Sequence, residues 1–209
     1  APDSGAILVG TTGTLNINGG SVTAAGTGKK GVYVRNNFQM TGGSLKVTGS
    51  GKPGIENVGN FNLSGGTIST KSKSDGIGFL QSGGSATIQA KELITDRLYI
   101  NSSFTVASGG KVTSESTIID RGTLTNAGEF VSNGPFEKGT YGTFNNTGTI
   151  SGTGSLPDGV KQTPDKITGH KTKISADYCN NMSINVQNLA GIHKPDRAGN
   201  LQYELAEYT

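Results

Sequence analysis

The chain is poor in the residues that carry most enzyme chemistry. Among 209 residues it has no tryptophan, two methionines, two histidines and a single cysteine, Cys179. One cysteine excludes an internal disulfide framework and a cysteine-based metal cluster. His170 and His193 have no partner at ligand spacing, so no zinc site is expected. There is no run of 18 apolar residues, hence no expected membrane-spanning helix. The first residues, Ala1-Pro-Asp-Ser, show no basic segment followed by an apolar run, so either the protein is not exported or a signal has been removed. The net charge of +3 is small and spread along the chain, too weak to point to nucleic acid. Gly26-x-Gly28 does not continue as a phosphate-binding or dinucleotide fingerprint, and no nucleophile motif is present. Apolar residues make up 32%, which is low for a compact globule.

What the chain has is glycine, 34 in all, and a repeat built on it. Leu15-Asn-Ile-Asn-Gly-Gly-Ser-Val22 returns as Phe38-Gln-Met-Thr-Gly-Gly-Ser-Leu45 and, after the same interval, as Phe61-Asn-Leu-Ser-Gly-Gly-Thr-Ile68. Apolar and polar residues alternate, then a glycine pair, then an apolar residue again. That is a strand, a tight bend and a second strand. A third apolar piece follows each polar turn: Gly31-Val-Tyr-Val34, Gly54-Ile-Glu-Asn57 and Gly76-Ile-Gly-Phe79, at offsets of 23 and 22. Three short strands per repeat make one coil of a three-sided solenoid. The fold class expected is all-β, a parallel β-helix of about 20–23 residues per coil, right-handed by the crossover rule for parallel strands.

Along the chain, Ala6-Ile-Leu-Val9 reads as part of an atypical first coil that protects the end of the column. Gly83-Gly84-Ser85 and Gly109-Gly110 continue the glycine-pair bends after local trimming and insertion. Lys91–Ile100 is the most charged stretch of the middle; it is open to a helical turn, although Leu98-Tyr-Ile100 is strand-like. Later coils shorten: Phe104, Leu124 and Phe144 recur at intervals of 20, so Asn126 and Asn146 are expected to stack and hydrogen-bond. The solenoid is placed at 1–155 and a linker at 156–164. A β-rich segment follows at 165–209, too short for a complete sandwich: either the start of an immunoglobulin-like module or a small sheet docked on the column's end.

The Gly-Gly-Ser/Thr strand repeats with Gly-Val/Ile after each turn resemble bacterial secreted and cell-surface proteins with pectin-lyase-like or adhesin-type β-helices. The tail, with Lys173-Ile-Ser-Ala176 and Gly199-Asn-Leu-Gln-Tyr-Glu-Leu205, is similar to the start of the immunoglobulin-like repeats that follow such regions. The resemblance implies an extracellular, cell-surface location and carbohydrate binding; it implies no activity.

A polysaccharide lyase or hydrolase of this shape needs carboxylates massed on one face. Here the 15 acidic residues are scattered, so a non-catalytic surface stalk is preferred, with a polysaccharide-active enzyme and a purely structural spacer as alternatives. Candidate ligand-binding residues are few. Lys29, Lys52 and Lys73 recur in the turn after the second strand, giving a basic stripe that either meets an anionic glycan or wall polymer or simply keeps edges apart. Tyr33 offers a face for sugar stacking. Asp96-Arg97 and Asp120-Arg121 are spaced by about the length of one coil. They suggest adjacent coils, as a patch for a sugar acid or, the favoured alternative, a salt-bridge ladder. No cofactor and no metal are expected, and the partners are a glycan or a host or wall surface polymer. The fold expectation has a direct check: far-ultraviolet dichroism is predicted to be sheet-like, and a substantial helical signal overturns the solenoid.

Overall fold

A computed structural model describes residues 5–26, 28–49, 53–72, 76–157 and 160. Their regular structure is strand throughout, without a helix, so none among them crosses a membrane as a long apolar helix. The chain divides into two units, Ala1–Thr163 and Pro164–Thr209. The second unit lies outside the described residues, and with it the expected 165–209 segment, Cys179 and both histidines.

The alternation of the sequence dictates what each strand buries. In a strand, successive side chains point to opposite sides. Residues 37–40, Asn-Phe-Gln-Met, bury Phe38 and Met40 and leave Asn37 and Gln39 outside. The rule holds around a three-sided column of about six turns, in which every described strand pairs in parallel with its equivalent in the next coil. The first face comprises Thr14–Ile17, the opening residues of the long strands Asn37–Gly49 and Asn60–Ser72, then Ser85–Ile88, Ser103–Val106, Thr123–Asn126 and Thr143–Asn146. The second face comprises Ser21–Ala25, the closing residues of the same two long strands, then Lys91–Thr95, Gly110–Ser114, Glu129–Ser132 and Thr149–Ser151. The third face is a seven-stranded sheet beginning with Gly5–Val9 and Lys30–Val34 and ending with Phe136–Lys138. Ala6-Ile-Leu-Val9 is thus a regular third-face rung, paired with Lys30–Val34.

Inside, the aromatic rings stack along the axis. Phe38 lies parallel on Phe61 with centroids 4.3 Å apart, and Phe79 meets Phe61 and Phe104 edge-on at 5.1 and 5.7 Å. Phe136 continues the column between Phe130 and Phe144. All but Phe144 are buried, and burial of each such ring contributes roughly 1.5–3 kcal/mol. At the far end Leu156 and Val160 pack against this core, and Ser155 accepts a hydrogen bond from the Phe136 amide. The start of the expected linker at 156–164 therefore lies on the column.

At each of the three corners some coils carry an inward polar residue that ties down the bend. At the close of the third face, the Asn57 amide donates to Gln81 Oε1 (2.9 Å) and to the carbonyls of Gly59 and Ser85, and Asn57 Oδ1 accepts from the Gly59 amide. At the close of the second, Thr70, Thr95, Ser114 and Ser132 stack in register, and each hydroxyl donates to a carbonyl of the following bend. At the close of the first, Asn126 donates to Asn146 Oδ1 at 2.7 Å, the stacking expected from the regular spacing of the later coils. These residues, Asn146 excepted, are buried. They supply partners for bend amides and carbonyls that would otherwise be orphaned in the interior.

Two spacings differ from expectation. First-face equivalents fall at 14, 37, 60, 85, 103, 123 and 143, so the longest coil runs from 60 to 85 and the shortest from 85 to 103. Nearly all of this variation lies in one bend, from second face to third. It separates Val47 from Ile55 by eight positions and Thr70 from Phe79 by nine, but Thr95 from Leu98 and Ser114 from Thr117 by three. This bend makes the third-face offset 24 rather than 22, which puts Phe79, not Ile77, over Ile55, and Gly78 rather than Gly76 over Gly54. A Cβ on Gly54 would sit 2.7 Å from the Gly78 carbonyl oxygen. For the same reason Gly83-Gly84 is not the next glycine-pair bend. It precedes the first face and lies over Gly59.

The true successor of Gly66 is Lys91, the residue before Glu92, which pairs with Thr67. Gly20, Gly43 and Gly66 all have positive φ at this position, 74°, 84° and 82°, and Lys91 adopts 64° without glycine's freedom. No helical turn forms there, because 91–95 and 98–100 are strands. Lys91→Gly is expected to raise the unfolding free energy by about 1 kcal/mol, measured by denaturant titration. Gly66→Ala, whose Cβ would meet the Gly43 carbonyl oxygen at 2.6 Å, is expected to lower it by about 2–3 kcal/mol. Asn57→Ala, which strands several buried polar groups, should also lower it by about 2–3 kcal/mol.

Candidate functional site

The outward positions of the first face form a surface unlike the other two. Its strands read Thr14-Leu-Asn-Ile17, Asn37-Phe-Gln-Met40, Asn60-Phe-Asn-Leu63, Ser85-Ala-Thr-Ile88, Ser103-Phe-Thr-Val106, Thr123-Leu-Thr-Asn126 and Thr143-Phe-Asn-Asn146. The first and third residues of each face out, and every one is a hydroxyl or a carboxamide. Seven rungs thus present two uncharged polar rows. The second face mixes in Lys46, Lys71, Glu92, Lys111 and Glu129, and the third has Tyr33, Glu56 and Leu80 outward.

The rows are in unbroken parallel register, so equivalent groups repeat at the ~4.8 Å separation of neighbouring strands. Over coils two to four the surface is indented by a cleft of about 330 Å³, lined by both rows and by Gln89. The rows differ in hydrogen bonding. In the first, the Asn60 amide donates to Asn37 Oδ1 at 3.1 Å, and the Ser85 hydroxyl donates to Asn60 Oδ1 at 3.3 Å. Their polar groups satisfy one another along the column. In the second, Gln39, Asn62 and Thr87 are in register but make no side-chain hydrogen bond among the described residues. Asn62 Oδ1 is buried without a partner. An unpaired buried acceptor costs about 1–3 kcal/mol, and a hydroxyl donor reaches it only when the Asn62 side chain turns outward.

The residues singled out from the sequence lie elsewhere. Lys29 is exposed in the first of the long bends between second and third faces; Lys52 and Lys73 lie outside the described residues. Tyr33 is on the third face but only 7% exposed. The Lys30 ammonium sits 3.6 Å from its ring centroid and Arg35 approaches at 5.9 Å, so the ring is covered by cations rather than offered to a sugar. Lys30 is held there by Glu56 at 3.0 Å, both side chains largely buried, and Glu56 also accepts from the Ser82 hydroxyl.

The Asp96 and Asp120 ladder does not form. Asp96 lies in the bend between second and third faces and Asp120 in the bend between third and first, because Leu98 begins a third-face strand and Leu124 lies in a first-face one. Asp96 instead accepts the amides of Ser72 and Arg97, both at 2.8 Å, and so fastens two adjacent coils. The Asp120 carboxylate pairs with its exposed neighbour Arg121, at 3.8 Å. Most other described acids are also engaged with neighbours: Glu92 and Glu129 flank Lys111, and Glu115 accepts from Asn133. No group of three or more potential metal ligands is assembled among the described residues.

The outward rows were legible in the strand letters. The inward alternation identifies the fold, and the residues it skips, always Ser, Thr, Asn or Gln on the first face, identify the surface. The cleft was not legible, because it depends on which coils stack. In comparisons with known proteins no family model, no curated protein and no solved structure matches the chain.

The open row predicts a stability signature. Asn62→Thr, which removes the orphaned acceptor and favours the strand, is expected to raise the unfolding free energy by about 1 kcal/mol. Asn60→Ala, which breaks the satisfied row, should lower it by about 1 kcal/mol. Paired chemical-denaturation curves measure both, and a loss of stability in Asn62→Thr argues that this row is structural.

Proposed function

We propose that the chain is a non-catalytic region of a bacterial cell-surface protein, an adhesin-like, carbohydrate-binding stalk. The observation that carries this reading is the first face: seven rungs of outward hydroxyl and carboxamide side chains, with a cleft across three of them. Such groups donate and accept at once, as sugar hydroxyls do, and a concave surface with convergent polar groups is where ligands are held. The solenoid suits a stalk, because adding coils lengthens the surface without changing it. Glu56, Glu92, Asp96, Glu115 and Glu129 serve as cross-links between coils, which supports binding over hydrolysis or elimination.

The test is retention on a glycan array by the 209-residue chain. Binding of at least one glycan class is expected. No retention on any glycan overturns the reading in favour of a spacer. A calcium-dependent rise in absorbance with uronate polymers replaces it with a lyase.

A further inference from the structure

We infer that the ligand of the first face is a neutral, linear polysaccharide lying along the column axis, with successive sugar units over coils two, three and four. This rests on the glycan-binding reading above and narrows it in charge, direction and length.

The charge follows from the side chains. No first-face outward position in the seven rungs carries a charge. A uronate or sulfated chain would lose hydration there and find no cation in return. Among the described lysines beside the long bends, Lys30 opens a third-face strand and Lys71 lies near the end of a second-face one. An anionic polymer therefore has its counter-charge on the wrong corner.

The direction follows from the register. Along the axis, equivalent groups recur every ~4.8 Å, close to the advance of one pyranose ring in an extended glycan. Each sugar unit then meets the same chemistry one coil further on. Across the strands the face offers only two outward positions, ~6.7 Å apart, and then turns a corner. A chain laid that way leaves the surface after two contacts.

The residues follow from the hydrogen bonds. Asn37, Asn60 and Ser85 are joined to one another and form the wall of the track. Gln39, Asn62 and Thr87 make no side-chain hydrogen bond among the described residues, one group per coil; the Asn62 oxygen is buried without a partner, so Asn62 meets a sugar by turning its amide outward. This second row reads the sugar hydroxyls, with Asn62 at its centre. The cleft covers three rungs, so the track holds about three to four sugar units.

The experiment uses the 209-residue chain on an array of neutral and anionic glycans, followed by calorimetric titration with a length series of the neutral glycan it retains. Affinity is expected to rise from the disaccharide to about the tetrasaccharide and then level off. Gln39→Ala and Asn62→Ala should each weaken binding by about 3–10-fold, one hydrogen bond's worth, while Lys29→Glu, Lys52→Glu and Lys73→Glu, alone or combined, leave it unchanged. Gln39 is exposed, so its variant tests the track without disturbing the fold. Retention of anionic glycans alone, or binding lost in the lysine variants and at raised salt, overturns this inference and leaves the broader reading standing. Neutral binding that ignores both Gln39→Ala and Asn62→Ala, or that is independent of chain length, also overturns it. No retention on any glycan overturns both.

Discussion

The parallel hydrogen-bonded ladder between coils is the constraint on which the rest of this structure depends. Once Phe61 pairs with Phe38 and Asn60 with Asn37, every residue is placed over its equivalent, and each property of one coil becomes a property of a row. Apolar rows make the core, with its column of phenylalanines. Short polar rows at some strand ends tie down the corners. A coil can change length only where no ladder is interrupted, and here that is mainly the bend between second and third faces. The same constraint explains Lys91, which takes a left-handed conformation suited to glycine because the coils on either side determine where that bend must turn.

The ladder also separates satisfied polar rows from open ones. Most interior amides and hydroxyls, Asn57, Gln81 and Ser132 among them, are hydrogen-bonded to the bends they close, whereas the buried Thr117 hydroxyl and Asn101 Oδ1 have no partner among the described residues. The outer row through Asn60 is bonded to itself, and Lys111 links the acids of two neighbouring coils at an exposed site where such pairs add little. The row through Asn62 differs from the interior groups in facing outward. Its groups are held at fixed spacing by the backbone and make no side-chain hydrogen bond among the described residues, which is the capacity the proposed glycan would use. The Lys30, Tyr33 and Glu56 cluster is the reverse case. Its residues look reactive by type, but each is engaged with the others.

Particular residues show how far the letters carried. The constant interval from Leu15 to Phe38 to Phe61, and the shorter one from Phe104 to Leu124 to Phe144, are the paired registers themselves, and the contact of Asn126 with Asn146 follows directly from them. Between 70 and 92 the reading slipped, because a glycine pair was followed as a marker although Gly83-Gly84 serves a different corner from Gly65-Gly66. Glycine is selected wherever two backbones approach closely or φ turns positive, and a three-sided coil has three such corners. The pairing of Asp96 with Asp120 failed for the same reason: a spacing near one coil's length stacks two residues only if both lie on the same side.

Period-two alternation and a constant interval therefore sufficed for the class of fold, the identity of the core and the stacking of regular coils, since each depends only on local strand geometry repeated at fixed spacing. Which corner a glycine occupies, that Tyr33 lies under a lysine, and that three uncharged rungs join into one cleft were decided by the tertiary structure. They depend on the lengths of the bends between strands, and those lengths carry no periodicity from which to read them.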